Sequence, residues 1–152
     1  MDHHARRMTS GGYRIGMMSR LQGALLERRL RSHGIAAGQL PYILEALCKP
    51  GLTQDEMAAR VGVSRAATAR ALHALEQDGL VTRTENPDNR RQKLVEPTAR
   101  ARELERPLRA VLDGHNQMLF KEFSPQERAL ALGLMDRIVH NLKTALDNWD
   151  NS

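Results

Sequence analysis

Residues 53–77, TQDEMAARVGVSRAATARALHALEQ, constrain the fold more than any other stretch of the chain. Thr53 followed three residues later by Glu56 is a capping box. In such a box the hydroxyl and the carboxylate each take a backbone N–H that a helix start leaves free. Met57, Ala58 and Val61 then recur at helical spacing. Gly62 breaks the series, as expected where the backbone must reverse and a Cβ would crowd it. Ser64 caps a second helix that reaches about Gln77, and Gly79 terminates it. Two short capped helices joined by a glycine turn form a helix-turn-helix signature.

The helical period of about 3.6 residues sorts the second helix into two faces. Thr68, Ala71, Leu72 and Leu75 share the face that should pack on a core. Arg65, Ala66, Ala69, Arg70 and His73 share the opposite face. Small residues flanked by arginines suit a major groove. Alanine lets the backbone approach and can touch a thymine methyl, while arginine reaches guanine or phosphate. Ser64 and the free N–H groups of the helix start suit a phosphate contact. A capped surface helix with solvated arginines has the same pattern, and this stretch alone leaves both readings open. His73 is likewise either a DNA contact or a solvated histidine.

Leu80–Thr84 and Gln92–Glu96 read as two strands around the Asn-, Asp- and Pro-rich turn Glu85–Arg90. Its tip sets Arg90 and Arg91 beside Asp88, with Lys93 on the returning strand. A narrow A·T-rich minor groove concentrates negative potential and draws in arginine. Asp88 can hold Arg90 extended through a charge-assisted bond. Standing alone, such a tip reads as an ordinary surface ion pair. Directly after a helix-turn-helix it reads as a wing.

Longer amphipathic helices flank this region. Ile15, Met18, Leu21, Leu25, Leu26 and Leu30 mark a first helix ending near Gly34. Residues 39–48 form a second, with Pro41 in its first turn and Lys49–Pro50–Gly51 as its stop. Thr98 opens a long helix in which Pro107 is either a bend or a break. Ser124–Pro125–Gln126–Glu127 joins an N-cap, an N1 proline and a capping-box glutamate. The helix it starts carries Leu130, Leu134, Met135, Ile138, Leu142 and Leu146. The fold class is therefore mainly α with a small β-hairpin wing, a winged helix-turn-helix domain plus N- and C-terminal dimerisation helices. Residues 1–11 read as a disordered tail and 12–36 as the N-terminal dimerisation helix. Residues 37–98 form the winged helix-turn-helix, and 99–150 the C-terminal dimerisation helices. Leu21, Leu25, Leu112, Leu134, Ile138 and Leu142 exceed what one small winged helix must bury. They are candidates for an interface between two copies, and intramolecular packing claims some of them.

From Ala37 to Arg102 the chain resembles the MarR family of winged-helix transcriptional regulators. The residues that carry the likeness are GQLPYILEAL, GLTQDEMAARVGVSRAATARALHALEQDGLVTR and PDNRRQKLVEPT. The chain departs from the family pattern at Pro97 (usually leucine), Ala101 (usually glycine) and Ala67 (frequently threonine). The resemblance implies a homodimer that binds double-stranded DNA at a near-palindromic operator, most often as a repressor. Ser64–Gln77 would be its recognition helix, and Arg90, supported by Asp88, would enter the minor groove. The resemblance also implies a small effector, often anionic or phenolic, held between the dimer helices and the winged domain. Arg14, Arg20, Tyr42 and His115 are candidates to line that cleft, each with a structural or solvated role as the alternative. The competing function is a winged-helix module for protein–protein assembly that reads no DNA sequence.

Other classes fall away on composition. A chain of 152 residues is about one domain, and its single cysteine excludes a disulfide framework or a cysteine-based zinc site. No apolar run is long enough to span a membrane and no signal peptide opens the chain, so a cytoplasmic protein is expected. There is no GxSxG, phosphate loop, HExxH or paired-carboxylate motif, so neither an enzyme nor a cofactor is expected. Cys48 reads as a buried or inert thiol, Met17–Met18 as core and His3–His4 as part of the tail. Trp149 either packs back on a helix or frays. The net charge of +5 is a poor guide to the partner. Residues 1–33 hold seven arginines against two acids, whereas residues 34–152 hold 16 basic and 16 acidic residues. The case for DNA therefore rests on where Arg65, Arg70, Arg90 and Arg91 point.

Overall fold

The computed structural model describes Arg7 and residues 9–150. His3, His4 and most of the expected tail lie outside the described residues. The chain divides after Leu112 into two compact units.

In the first unit Arg7 and Thr9 are helical, and Ser10 Oγ accepts the Tyr13 N–H at 3.1 Å to cap α1 (Gly11–Leu30). A 3-10 turn, Arg31–His33, ends at Gly34 in the left-handed region. A second 3-10 turn, Ala37–Gln39, leads into α2 (Leu40–Cys48), with proline in its first turn. β1 (Leu52–Thr53), α3 (Gln54–Val61), α4 (Arg65–Gln77), β2 (Val81–Asn86) and β3 (Asn89–Pro97) follow. α5 (Ala99–Leu119) crosses the boundary between the units.

The three strands form an antiparallel sheet in the order β1-β3-β2. β1 is absent from the sequence reading because two residues carry no periodicity. It exists only through its partners, Leu52 opposite Val95 and Thr53 opposite Leu94. The core gathers Leu30 of α1, Ile43 and Ala46 of α2, Met57 of α3, Leu72 and Leu75 of α4, Val81 and Val95 of the sheet, and Leu108 of α5. α1 adds less to it than its spacing suggests. Leu26 and Leu30 are buried, but Met17 and Met18 are exposed and do not join the core.

Pro97, the first departure from the family pattern, is buried at the end of β3 and leaves the next helix start unchanged. Thr98 Oγ1 accepts the Ala101 N–H at 3.2 Å and donates to Gly79 O at 2.8 Å. Ala101 is fully buried, where a small side chain suffices. Pro107 neither ends nor divides α5, which is continuous through it.

The second unit holds the end of α5 and all of α6 (Pro125–Asp150). Between them Glu122 takes a positive φ, and Phe120 and Phe123 meet edge to face at 5.6 Å. Ser124 Oγ accepts the Glu127 N–H, and the Glu127 carboxylate accepts the Ser124 N–H at 2.8 Å. Those bonds hold the Glu127 carboxyl below the usual carboxylate range. α6 buries none of its residues, and Trp149 is its most exposed large apolar side chain.

Candidate nucleic-acid interface

The capping box at the start of α3 forms in full. Thr53 Oγ1 accepts the Glu56 N–H, and the Glu56 carboxylate accepts the Thr53 N–H at 2.8 Å. Gly62 then turns the chain at φ +74, a backbone conformation that costs a residue with a Cβ roughly 1–2 kcal/mol. No atom lies within 4 Å of where a Cβ would stand, so conformation and not crowding selects this glycine. Ser64 Oγ accepts the Ala67 N–H at 3.2 Å and sets the first turn of α4.

α4 divides as its period predicts. Thr68, Leu72 and Leu75 are buried and Ala71 is half-buried, while Arg65, Ala66, Arg70 and His73 are exposed and Ala69 is half-buried. Thr68 is the polar member of the inner face, and its hydroxyl lies 3.5 Å from that of Tyr42. Arg65 Nε is 3.2 Å from the Asp55 carboxylate on α3, and both groups remain well exposed. Among the described residues the Arg70 and His73 side chains form no hydrogen bond or ion pair.

The wing is longer and tighter than the sequence suggests. β2 and β3 run to Asn86 and from Asn89, leaving Pro87–Asp88 as a two-residue turn. Glu85 pairs with Lys93 but Asn86 pairs with Asn89, so Arg90, Arg91 and Gln92 form a bulge with no counterpart on β2. The expected ion pair between Asp88 and Arg90 is not formed. Asparagines hold the tip instead: Asn86 Oδ1 accepts the Asp88 N–H at 3.0 Å, and Asn89 Oδ1 accepts the Arg91 N–H at 3.2 Å. Backbone bonds of this local kind need no ordering of a long side chain, whereas a fully exposed ion pair gains little in water. Asp88, Arg90, Arg91 and Lys93 are all exposed.

Arg83, at the base of the wing, was not singled out by its sequence context. Its side chain is only 13% exposed. Nη2 donates to Glu76 Oε2 at 2.7 Å, Nε to the same oxygen at 3.2 Å, and the backbone N–H to Glu76 Oε1 at 3.2 Å. Nη1 reaches Gln54 Oε1 at 3.4 Å. One guanidinium thus ties β2 to the last turns of α4 and to the first residue of α3. The Arg83 guanidinium holds the Glu76 carboxyl below its usual pKa. The available signal was the seven-residue spacing across helix, turn and strand in LEQDGLVTR. No local propensity exposes such a pair. Beside it lies a cavity of about 320 Å³ lined by Gln54, Asp55, Arg83, Arg91, Gln92 and Lys93.

The model of the MarR family matches residues 38–93, a span that runs from the start of the second helix through the wing. The HTH-type transcriptional regulator YybA of Bacillus subtilis (strain 168) is 23% identical over 129 residues, 85% of this chain and 86% of its own length. A crystal structure of MarR matches with a TM-score of 0.79 at 26% identity, covering 98% of this chain and 99% of that one. Residues 38–93 thus match the MarR family, and the chain shares its fold with MarR. A mutant MarR from E. coli, solved in complex with operator DNA, has the same fold, with a TM-score of 0.82 at 24% identity over 91% of this chain and 99% of that one. Members of the MarR family are transcription regulators rather than enzymes.

The four effector-cleft candidates fare differently in this chain. Tyr42 sits in the core: its ring is buried with Ile43 and Leu72, and Thr68 is near its hydroxyl. An amphipathic aromatic is driven inward wherever its polar end finds a partner. Arg14 is exposed and donates to Ser10 O at 3.3 Å, and Arg20 is exposed on the same helix. His115 is buried in the second unit. Cys48 is exposed at the end of α2 rather than buried.

Proposed function

We propose that this chain is a homodimeric, effector-responsive repressor that lays α4 in the major groove of a near-palindromic operator. The wing then reaches the adjacent minor groove. The observation that carries this reading is the division of α4. Its inner face is locked in the core through Thr68, Leu72 and Leu75, and its outer face presents Ala66, Arg70 and His73 to solvent. A helix held rigidly on one side and left polar and shallow on the other is suited to reading base edges. Ser64 and the α4 N-terminus would contact phosphate, with Arg65, Ala66, Ala69, Arg70 and His73 in the groove. Asp88, Arg90, Arg91 and Lys93 would act from the wing. The likeness in fold to a MarR solved with operator DNA supports a DNA partner.

The dimer is supported by apolar surface with no other use. α1 exposes Ile15, Met18 and Leu21, and α6 exposes Leu134, Ile138, Leu142 and Leu146 among others. Exposed apolar residues in such number on a helix suit an interaction site. A two-fold dimer repeats the recognition helix at a spacing of about 34–36 Å, one turn of DNA. The effector response rests on the family resemblance, with Arg14, Arg20, Tyr42 and His115 as its candidates. No helix among the described residues is long and apolar enough to cross a membrane.

Gel-shift titration on the DNA upstream of its own gene tests the groove assignment. Arg70→Ala is expected to weaken binding by about 1–3 kcal/mol if it reads a base, and to relax preference at one position. Arg90→Ala is expected to weaken binding where the flanks are A·T-rich while the mass by light scattering stays that of a dimer. Unchanged binding in both variants overturns the assignment. Affinity that does not fall with salt points to the protein–protein assembly module instead.

A further inference from the structure

The cavity at the base of the wing has one feature that a surface built only to attract phosphate would lack. Asp55 is the carboxylate among its lining residues, facing a space shared with Arg83, Arg91 and Lys93. Glu76 already engages Arg83. Among the described residues Arg91 and Lys93 form no ion pair. Asp55 also stands 3.2 Å from Nε of Arg65, the first residue of the recognition helix, whose side chain is 81% exposed. The exposed first arginine of α4 is therefore held by an acid on the preceding helix.

Non-specific DNA binding is phosphate neutralisation, and it rises with every uncommitted cation whatever the sequence. A carboxylate set among those cations opposes a phosphate in any register. Held at Nε, Arg65 keeps its Nη groups for a planar, two-point partner such as the O6/N7 edge of guanine. Discrimination is a difference of affinities, and weakening the wrong complexes serves it as well as strengthening the right one. We propose that Asp55 is a specificity-determining residue. Its carboxylate restrains Arg65 and repels phosphate, so that the protein favours a matching site over random duplex. This inference rests on the regulator reading above.

The test compares wild type with Asp55→Asn, which keeps the shape and removes the charge. Fluorescence anisotropy is read in a potassium chloride series on two duplexes. One is enriched by wild type from a random pool, and the other is its scramble at equal length. Asp55→Asn is expected to raise affinity for the scramble about two- to five-fold, with a salt slope steeper by about one phosphate equivalent. Affinity for the enriched duplex is expected to hold or fall, so the ratio between the two drops. In an Arg65→Ala background the same change should move the ratio by less than about two-fold, because coupled residues lose their interaction together. An unchanged ratio in Asp55→Asn, or a drop just as large without Arg65, overturns the role of Asp55 and leaves the regulator reading standing. Failure of wild type to enrich any sequence overturns that reading, and this inference with it.

Discussion

Leu72→Ala is expected to lower the unfolding free energy by about 3 kcal/mol. Leu72 is fully buried on the inner face of α4, among Leu75, Tyr42 and Met57. Truncation there removes apolar contact and leaves a cavity that the surrounding helices close only in part, the circumstance in which leucine-to-alanine changes cost roughly 2–5 kcal/mol. For a chain of this length the melting midpoint should fall by about 6–12 °C at equal protein concentration. Arg70, two residues away, is the internal contrast. Arg70→Ala should leave the midpoint within about 1–2 °C, since an exposed change away from special features is nearly neutral. If Arg70→Ala destabilises as much as Leu72→Ala, α4 does not have the two faces described.

Arg83→Met is expected to be the second largest effect, about 2 kcal/mol of stability. Removing one partner of a buried ion pair costs about 3–5 kcal/mol, and that figure is reduced here because Glu76 is 37% exposed and water screens the charge left behind. Arg83→Lys should recover only part of the loss, because an ammonium cannot make the forked contacts to both Glu76 and Gln54. With the wing no longer tied to α4, DNA affinity should fall about ten-fold, mostly at the flanks of the site. The pH dependence separates this pair from simple packing. Arg83 lowers the Glu76 pKa in the folded chain, so below the ordinary value of 4.5 the unfolded chain binds the proton more readily. The stabilisation is complete above that value and is lost as pH falls through the depressed folded pKa. Wild type should therefore lose stability in acid more steeply than Arg83→Met. Parallel pH profiles from urea titration would show that the pair contributes nothing.

The helix starts were legible because caps are local. Thr53, Ser64, Thr98 and Ser124 each take a backbone N–H within three residues, and such pairs stand in the sequence as spacings. The two faces of α4 were legible for the same reason, since the helical period alone separates Leu72 from Arg70. The wing was legible as a hairpin but not in register. Pro87, Asp88 and the asparagines announce a turn, yet they do not say that β3 carries three unpaired residues exactly where its arginines lie. The Asp88–Arg90 pair followed from adjacency in sequence, and the bulge together with the Asn86 and Asn89 bonds set a different arrangement.

The sequence by itself determined the helix-turn-helix, its capped ends, the buried and exposed faces of α4 and the class of fold, because each depends on contacts within a few residues. Only the tertiary structure decided β1, which exists through Val95 and Leu94, and the core position of Tyr42, which depends on Thr68 from another helix. It alone decided the Arg83–Glu76 tie and the position of Asp55 against Arg65. Those contacts join elements brought together by burial of the shared apolar core, and a one-dimensional pattern does not record which surfaces that burial will place side by side.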